Sequence, residues 1–168
     1  ADIEADFVVV DDNSQDGTED LCRRLGTQHA LRLITRRDER GLASAVLRGL
    51  QESAGEICVG MDADMSHPPE AVPDLVDSIR SPFCDVAIGS RYVDGGSLDP
   101  NWSWYRRLNS KVATLLAKGL TNAADPLAGF FAIRRDTFLR ATGLKPLGYK
   151  VLLELIVRCD CRQIFEVP

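Results

Sequence analysis

Two carboxylates, Asp62 and Asp64, stand one residue apart where the apolar run Ile57-Cys58-Val59-Gly60-Met61 stops. At the end of a strand, side chains spaced in this way can both reach one hard divalent cation, and that cation can itself hold the phosphates of a substrate. A turn that caps a following helix is the other reading of Asp-x-Asp, since a tripeptide matches by chance. The next residues are Met65-Ser66-His67-Pro68-Pro69-Glu70. Pro69 suits the first position of a new helix, and Glu70 suits its positive end. His67, ahead of two prolines, reads as a structural loop residue rather than a base.

The elements that must position these groups follow from the hydrophobic pattern. The run from Ile57, bounded upstream by Gly55, has the length and composition of a buried strand in a parallel sheet. Open α/β sheets bind ligands just outside the carboxyl ends of their strands, which is where Asp62 and Asp64 fall. Phe7 to Val10 is a second buried strand, ending in the polar loop Asp11-Asp12-Asn13-Ser14-Gln15-Asp16-Gly17-Thr18. Helices are expected over Thr18 to Gly26, Leu42 to Ser53 and Pro69 to Ile79, with strands over Leu31 to Thr35 and Asp85 to Gly89. This alternation predicts parallel pairing with helices on both faces. After a turn-rich stretch from Tyr92 to Trp104, an amphipathic helix carries Tyr105, Leu108, Val112, Leu115, Leu116 and Leu120 on one face. Gly129 to Ile133 and Gln163 to Val167 are the last strands, with helices over Asp136 to Thr142 and Tyr149 to Cys159 between them.

The chain has 168 residues, enough for one domain with a real core, assigned here to residues 1–168. Its net charge of −5 gives no reason to expect nucleic-acid binding. The apolar runs are far too short to span a bilayer. Five scattered cysteines, an odd number, point to reduced thiols in a cytosolic setting, and Cys159-x-Cys161 has no second pair with which to bind a metal. The pattern opens on a strand and closes directly after another, as the middle of a longer protein would.

Seven segments in register carry a family resemblance. They are Val10 to Thr18, Arg40 to Ala45, Met61 to Glu70, Gly89 to Gly96, Arg106 to Lys111, Asp125 to Ala132 and Gly148 to Glu154. The set resembles the family 2 glycosyltransferases of the GT-A fold, and within them the dolichol-phosphate (polyprenyl-phosphate) mannose synthases. The resemblance covers nearly the whole chain. It implies an α/β, nucleotide-sugar-binding GT-A fold: a mostly parallel, doubly wound sheet with helices on both faces, here lacking its first strand and its C-terminal segment. A doubly wound sheet places its first strand centrally, so its absence should leave two strands with unpaired edges.

The activity so implied is metal-dependent, inverting transfer of mannose from GDP-mannose to a polyprenyl (dolichyl or undecaprenyl) phosphate. Mg²⁺ or Mn²⁺ on Asp62 and Asp64 would neutralise the leaving GDP. Ser66, where some family members carry a metal-binding Gln, would complete the metal set. The resemblance puts Asp11 and Asp12 near base and ribose; a loop cap satisfied by backbone N–H groups is the alternative for Asp12. The acceptor phosphate is already ionised, so catalysis needs cationic clamps rather than a strong base. Arg91 and Arg106 are the candidates, because a guanidinium forks onto phosphate oxygens. Arg106 and Ser110, spaced i, i+4, share a helix face and suit one phosphate. Lys150 and Glu154 have the same spacing and read as a helix salt bridge or as residues near the sugar. Trp102, Trp104 and Tyr105 with Arg107, Lys111 and Lys118 fit either a peripheral membrane contact at the cytoplasmic face or packing against the core. A sister enzyme using a UDP-sugar and a non-catalytic nucleotide-sugar-binding remnant stay open as alternatives.

Overall fold

The computed structural model describes residues 3–96, 112–145, 148 and 150–168. Strand β1 (Phe7–Asp11) pairs in parallel with β2 (Leu31–Thr35), Phe7 opposite Leu31 and Asp11 opposite Thr35. A four-stranded sheet holds β3 (Ile57–Gly60), β4 (Val86–Gly89), β5 (Phe131–Arg134) and β6 (Ile164–Val167) in the order β3-β5-β4-β6. β4 and β6 run parallel, whereas β5 lies antiparallel between β3 and β4. The α/β class expected from the sequence is therefore present, with one difference: the larger sheet is mixed. Among the described residues no pairing joins β1 to β3, so each has one unpaired edge, as expected for a sheet without its central strand.

The reversal of β5 decides which loop reaches the carboxyl edge of β3 and β4. Phe131, its first residue, sits opposite Gly60 and Ile88, at or near the ends of β3 and β4. The chain thus enters β5 from the edge where β3 and β4 finish. Residues 125–130 are delivered to the same edge as Asp62 and Asp64.

Period-2 alternation divides the side chains of the larger sheet between two layers. Val86, Ile88, Phe131 and Ile133 face α2 (Leu42–Glu52) and α6 (Val151–Arg158), which contribute Ala43, Leu47, Leu50, Leu152, Leu155 and Ile156. Ala87, Phe130 and Ala132 face α3 (Val72–Arg80), which contributes Leu75 and Ile79. Helices therefore cover both faces, and α2 reaches across to β1 as well as to β3. The first helix, α1 (Thr18–Leu25), lies on β2, and α5 (Arg135–Leu139) follows β5 directly.

Helix α4 is described over residues 112–117. Its small residues Thr114 and Ala117 are buried, while Val112, Leu115, Leu116 and, just beyond it, Leu120 are exposed. The described part of the stripe read from the sequence thus faces outward. No helix among the described residues is long and apolar enough to cross a membrane. All five cysteines are unpaired, in line with the expected reduced thiols. Cys159 and Cys161 flank Asp160, whose φ of 50° turns the chain out of α6, and the Cys161 N–H donates to Ile156 O at 2.9 Å. This pair is a helix terminus.

Gly60 is one of the positions where the sheet leaves no room for a side chain. A Cβ there would lie 2.7 Å from Phe131 Cε1, and the Phe131 ring is fully buried. Gly60→Ala must displace that ring and should cost about 1–3 kcal/mol, as overpacking does. The measurement is a urea unfolding midpoint that falls while the slope stays constant.

Candidate functional site

Past Gly60 the chain leaves β3 and folds back on itself over residues 61–67. The Asp62 N–H donates to His67 Nδ1 at 3.0 Å, closing the loop. Met65 at its tip has φ of 63°, and Ser66 N–H donates to Asp64 Oδ1 at 2.9 Å. Hydrogen bonds from the Ser66 hydroxyl and backbone hold the exposed Asp64 carboxyl below its usual value, so it is ionised near neutrality. Asp62, Asp64 and Ser66 therefore share one loop at the carboxyl end of β3. Among the described residues no cluster of three or more His, Cys, Asp or Glu side chains forms a closed metal cage. Two hard carboxylate oxygen donors on one loop fit Mg²⁺ or Mn²⁺, ions that keep water or ligand phosphate in their remaining positions.

The loop is backed by the segment entering β5. The His67 ring stacks on Phe130 with centroids 5.1 Å apart and planes 10° from parallel. At Gly129 a Cβ would stand 3.2 Å from His67 Cε1 and 3.3 Å from Asp62 Oδ2, so glycine permits the close approach.

Four residues upstream, Asp125 is completely buried. Arg91 Nε and Nη2 donate to its two oxygens at 2.7 and 2.8 Å, and the Arg91 backbone N–H donates at 3.2 Å. These bonds raise the Arg91 pKa further and fix the guanidinium against the loop. Glu166 on β6 accepts the N–H groups of Ala124 and Asp125 at 2.8 and 2.9 Å. Arg91, expected to clamp a phosphate, is thus held by Asp125 and ties the end of β4 to the entry of β5.

Asp11 and Asp12 organise loops. Asp11 accepts the Ser14 N–H at 3.0 Å and the Ser14 hydroxyl. Asp12 accepts Arg36 Nε at 2.7 Å, Arg36 Nη2, and the Gly41 N–H at 2.8 Å. Arg36, with its side chain only 5% exposed, also donates to Ser44 Oγ and Gly41 O. Burial works to raise the Asp12 pKa, but the Gly41 N–H and the Arg36 guanidinium outweigh it and hold the carboxyl below its usual value. These contacts combine one backbone N–H with a guanidinium, whereas the loop-cap alternative for Asp12 anticipated backbone N–H donors. Glu154 accepts the Lys145 N–H. The expectations for Arg106 and Ser110, and for Trp102, Trp104, Tyr105, Arg107 and Lys111, fall outside the described residues.

Reading the sequence residue by residue did not single out Arg36, Asp125 or Glu166. Asp125 sits before a proline in a recognisable loop segment, which was a usable signal. Arg36 follows a strand and Glu166 interrupts one, and neither pattern points to a partner.

A family model described as "Glycosyl transferase family 2" matches residues 3–140. A dolichol-phosphate mannosyltransferase from Pyrococcus furiosus is 40% identical over 167 residues, 97% of this chain and 47% of that protein. An undecaprenyl-phosphate mannosyltransferase from Micrococcus luteus is 36% identical, over 98% of this chain and 71% of its own length. The chain thus spans about half the length of the Pyrococcus relative. Among solved structures, the mannosyltransferase PcManGT from Pyrobaculum calidifontis in complex with GDP-Man and Mn²⁺ superposes with a TM-score of 0.66 at 22% identity, covering 97% of this chain and 45% of that one.

The Asp12 contacts carry a pH signature. Asp12→Asn should cost about 1–2 kcal/mol, the lower part of the range for charge-assisted hydrogen bonds because the carboxylate is partly solvated. A depressed native pKa stabilises the fold above the ordinary Asp value of about 3.9 and loses that effect as pH falls through the native value. The stability gap between wild type and Asp12→Asn, measured by urea unfolding, should be full at pH 6 and shrink at pH values below about 4.

Proposed function

Because the chain belongs to glycosyl transferase family 2, we propose that it is catalytic-domain sequence of a metal-dependent, inverting enzyme that moves mannose from GDP-mannose to a polyprenyl phosphate. The observation that carries the reading is the pair of carboxylates on one ordered loop at the carboxyl end of β3. The 40% identity to a dolichol-phosphate mannosyltransferase supports mannose and a lipid acceptor. The fold shared with a GDP-Man and Mn²⁺ complex supports the donor and a divalent ion.

Asp62 and Asp64 would hold the cation. When bound, Mg²⁺ or Mn²⁺ supplies charge neutralisation for the departing diphosphate. The chain's own residues do the rest. Ser66 keeps Asp64 ionised and aimed, and Arg91 and Asp125 anchor the loop that walls the site. The loops ordered by Asp11 and Asp12 border the nucleotide. Arg106 and Ser110 bind the acceptor phosphate, whose ionised oxygen attacks the anomeric carbon without prior loss of a proton. The exposed Val112, Leu115, Leu116 and Leu120, beside Lys118, form a peripheral contact with the cytoplasmic face of the membrane that holds the lipid.

A sister enzyme using a UDP-sugar is the second reading, favoured by the same fold in a UDP-glucose and Mn²⁺ complex of glucosyl-3-phosphoglycerate synthase. Calorimetry with GDP and UDP in Mn²⁺ decides between them: mannose transfer requires preference for GDP, and preference for UDP overturns it. Asp64→Ala should abolish Mn²⁺-dependent GDP binding with an unchanged circular dichroism spectrum; retained metal-dependent affinity would remove the proposed site. In the whole protein, Arg106→Ala should lower kcat/KM for a short-chain polyprenyl phosphate about ten- to hundred-fold and leave GDP-mannose affinity unchanged. A loss confined to donor binding would exclude the acceptor role.

A further inference from the structure

The aim of Asp62 depends on a side chain outside the carboxylate pair. His67 Nδ1 accepts the Asp62 N–H at 3.0 Å. An imidazole nitrogen that accepts carries no proton, so the neutral ring bears its hydrogen on Nε2. That Nε2 lies 4.0 Å from Asp62 Oδ2, too far for a hydrogen bond yet on the side of the same carboxylate. The ring is held independently of Asp62. Phe130, itself buried, stacks on one face, and Gly129 leaves no side chain to push it away. The His67 side chain is only 18% exposed, while that of Asp62 is 36% exposed and turned toward solvent.

From this geometry we infer that His67 is a positioning residue for the metal site. Through Nδ1 it fixes the Met61–Asp62 peptide plane, and thereby the direction in which the Asp62 carboxylate leaves the chain. It does not ligate the cation. Nδ1 is occupied by the backbone amide, and protonated Nε2 is a donor. Outer partners of this kind set ligand orientation, and their loss typically weakens metal binding 10- to 100-fold. The proposal rests on Asp62 and Asp64 holding a divalent ion. It extends that reading by giving the segment entering β5 a part in ordering the site, through the Phe130 stack and the space left at Gly129.

Three substitutions separate the functions of the ring. His67→Phe keeps the stacking surface and removes the acceptor. His67→Asn places its Oδ1 near the Nδ1 position and restores the acceptor. His67→Gln places its polar group near Nε2, where a direct ligand would have to be. The probe is Mn²⁺ alone, added to the full chain and followed by paramagnetic broadening of the Asp62 and Asp64 amide resonances. The metal-free chain is examined in parallel by ¹⁵N spectroscopy of the imidazole. We expect unprotonated Nδ1 and protonated Nε2 without metal, about tenfold weaker Mn²⁺ binding in His67→Phe, recovery of most of the loss in His67→Asn, and none in His67→Gln.

Protonated Nδ1 in the metal-free chain, wild-type Mn²⁺ affinity in His67→Phe, or recovery in His67→Gln but not in His67→Asn would each overturn the role. If His67→Phe is too unstable to measure, comparison of Asn with Gln decides alone. Wild-type chain that shows the Nδ1 signature but no broadening at Asp62 and Asp64 would overturn the metal site itself, and the positioning role with it. The wild-type titration thus tells that failure apart from a failure of His67 alone.

Discussion

A carboxylate with no exposure to water must find its compensation inside the protein, and for Asp125 that compensation is Arg91. Two guanidinium N–H groups and one backbone N–H surround it, so the charge is paired and its lone pairs are used. Removing Arg91 would leave the Asp125 charge stranded in a poorly polarisable interior. The pair joins residues 34 positions apart, at the exit of β4 and the approach to β5. Glu166 adds a third element by binding the backbone just ahead of the same carboxylate. Three strands thereby share one polar knot at the edge where ligands of such folds bind.

That knot makes the antiparallel course of β5 useful. A strand entering from the carboxyl edge of its neighbours brings its preceding loop with it. Gly129 and Phe130 then stand beside Asp62 and His67, supplying space and a stacking surface. The loop that carries Asp62 and Asp64 is supported from behind by backbone that belongs to a distant part of the chain. Its carboxylates can stay accessible without being loose.

The same economy appears at the end of β1. Asp12 and Arg36 hold two consecutive strand-end loops together, and Gly41 and Ser44 extend the contact to the start of α2. The strand-end loops near which a nucleotide would lie are thus organised by ionic groups that are already committed within the protein. Among the described residues, Asp62 and Asp64 are left without such internal pairing to a guanidinium.

The amino-acid sequence by itself determined the kind and order of the elements. Apolar runs ending in polar clusters marked the strands from β1 to β4, helical spacing marked α1 to α3, and the abrupt stop at Asp62 and Asp64 marked the carboxyl end of β3. Each of these signals is local, set by side-chain periodicity within about ten residues. Tertiary structure alone decided the direction of β5, which depends on where the preceding chain is anchored rather than on its own composition. It also decided that Arg91 turns to Asp125, that Arg36 turns to Asp12, and that the leucines of α4 face outward while Thr114 and Ala117 face in. A guanidinium has the same local pattern whether it waits for a phosphate or neutralises a buried carboxylate. Only the fold, by fixing which charges lose their water, selects between the two.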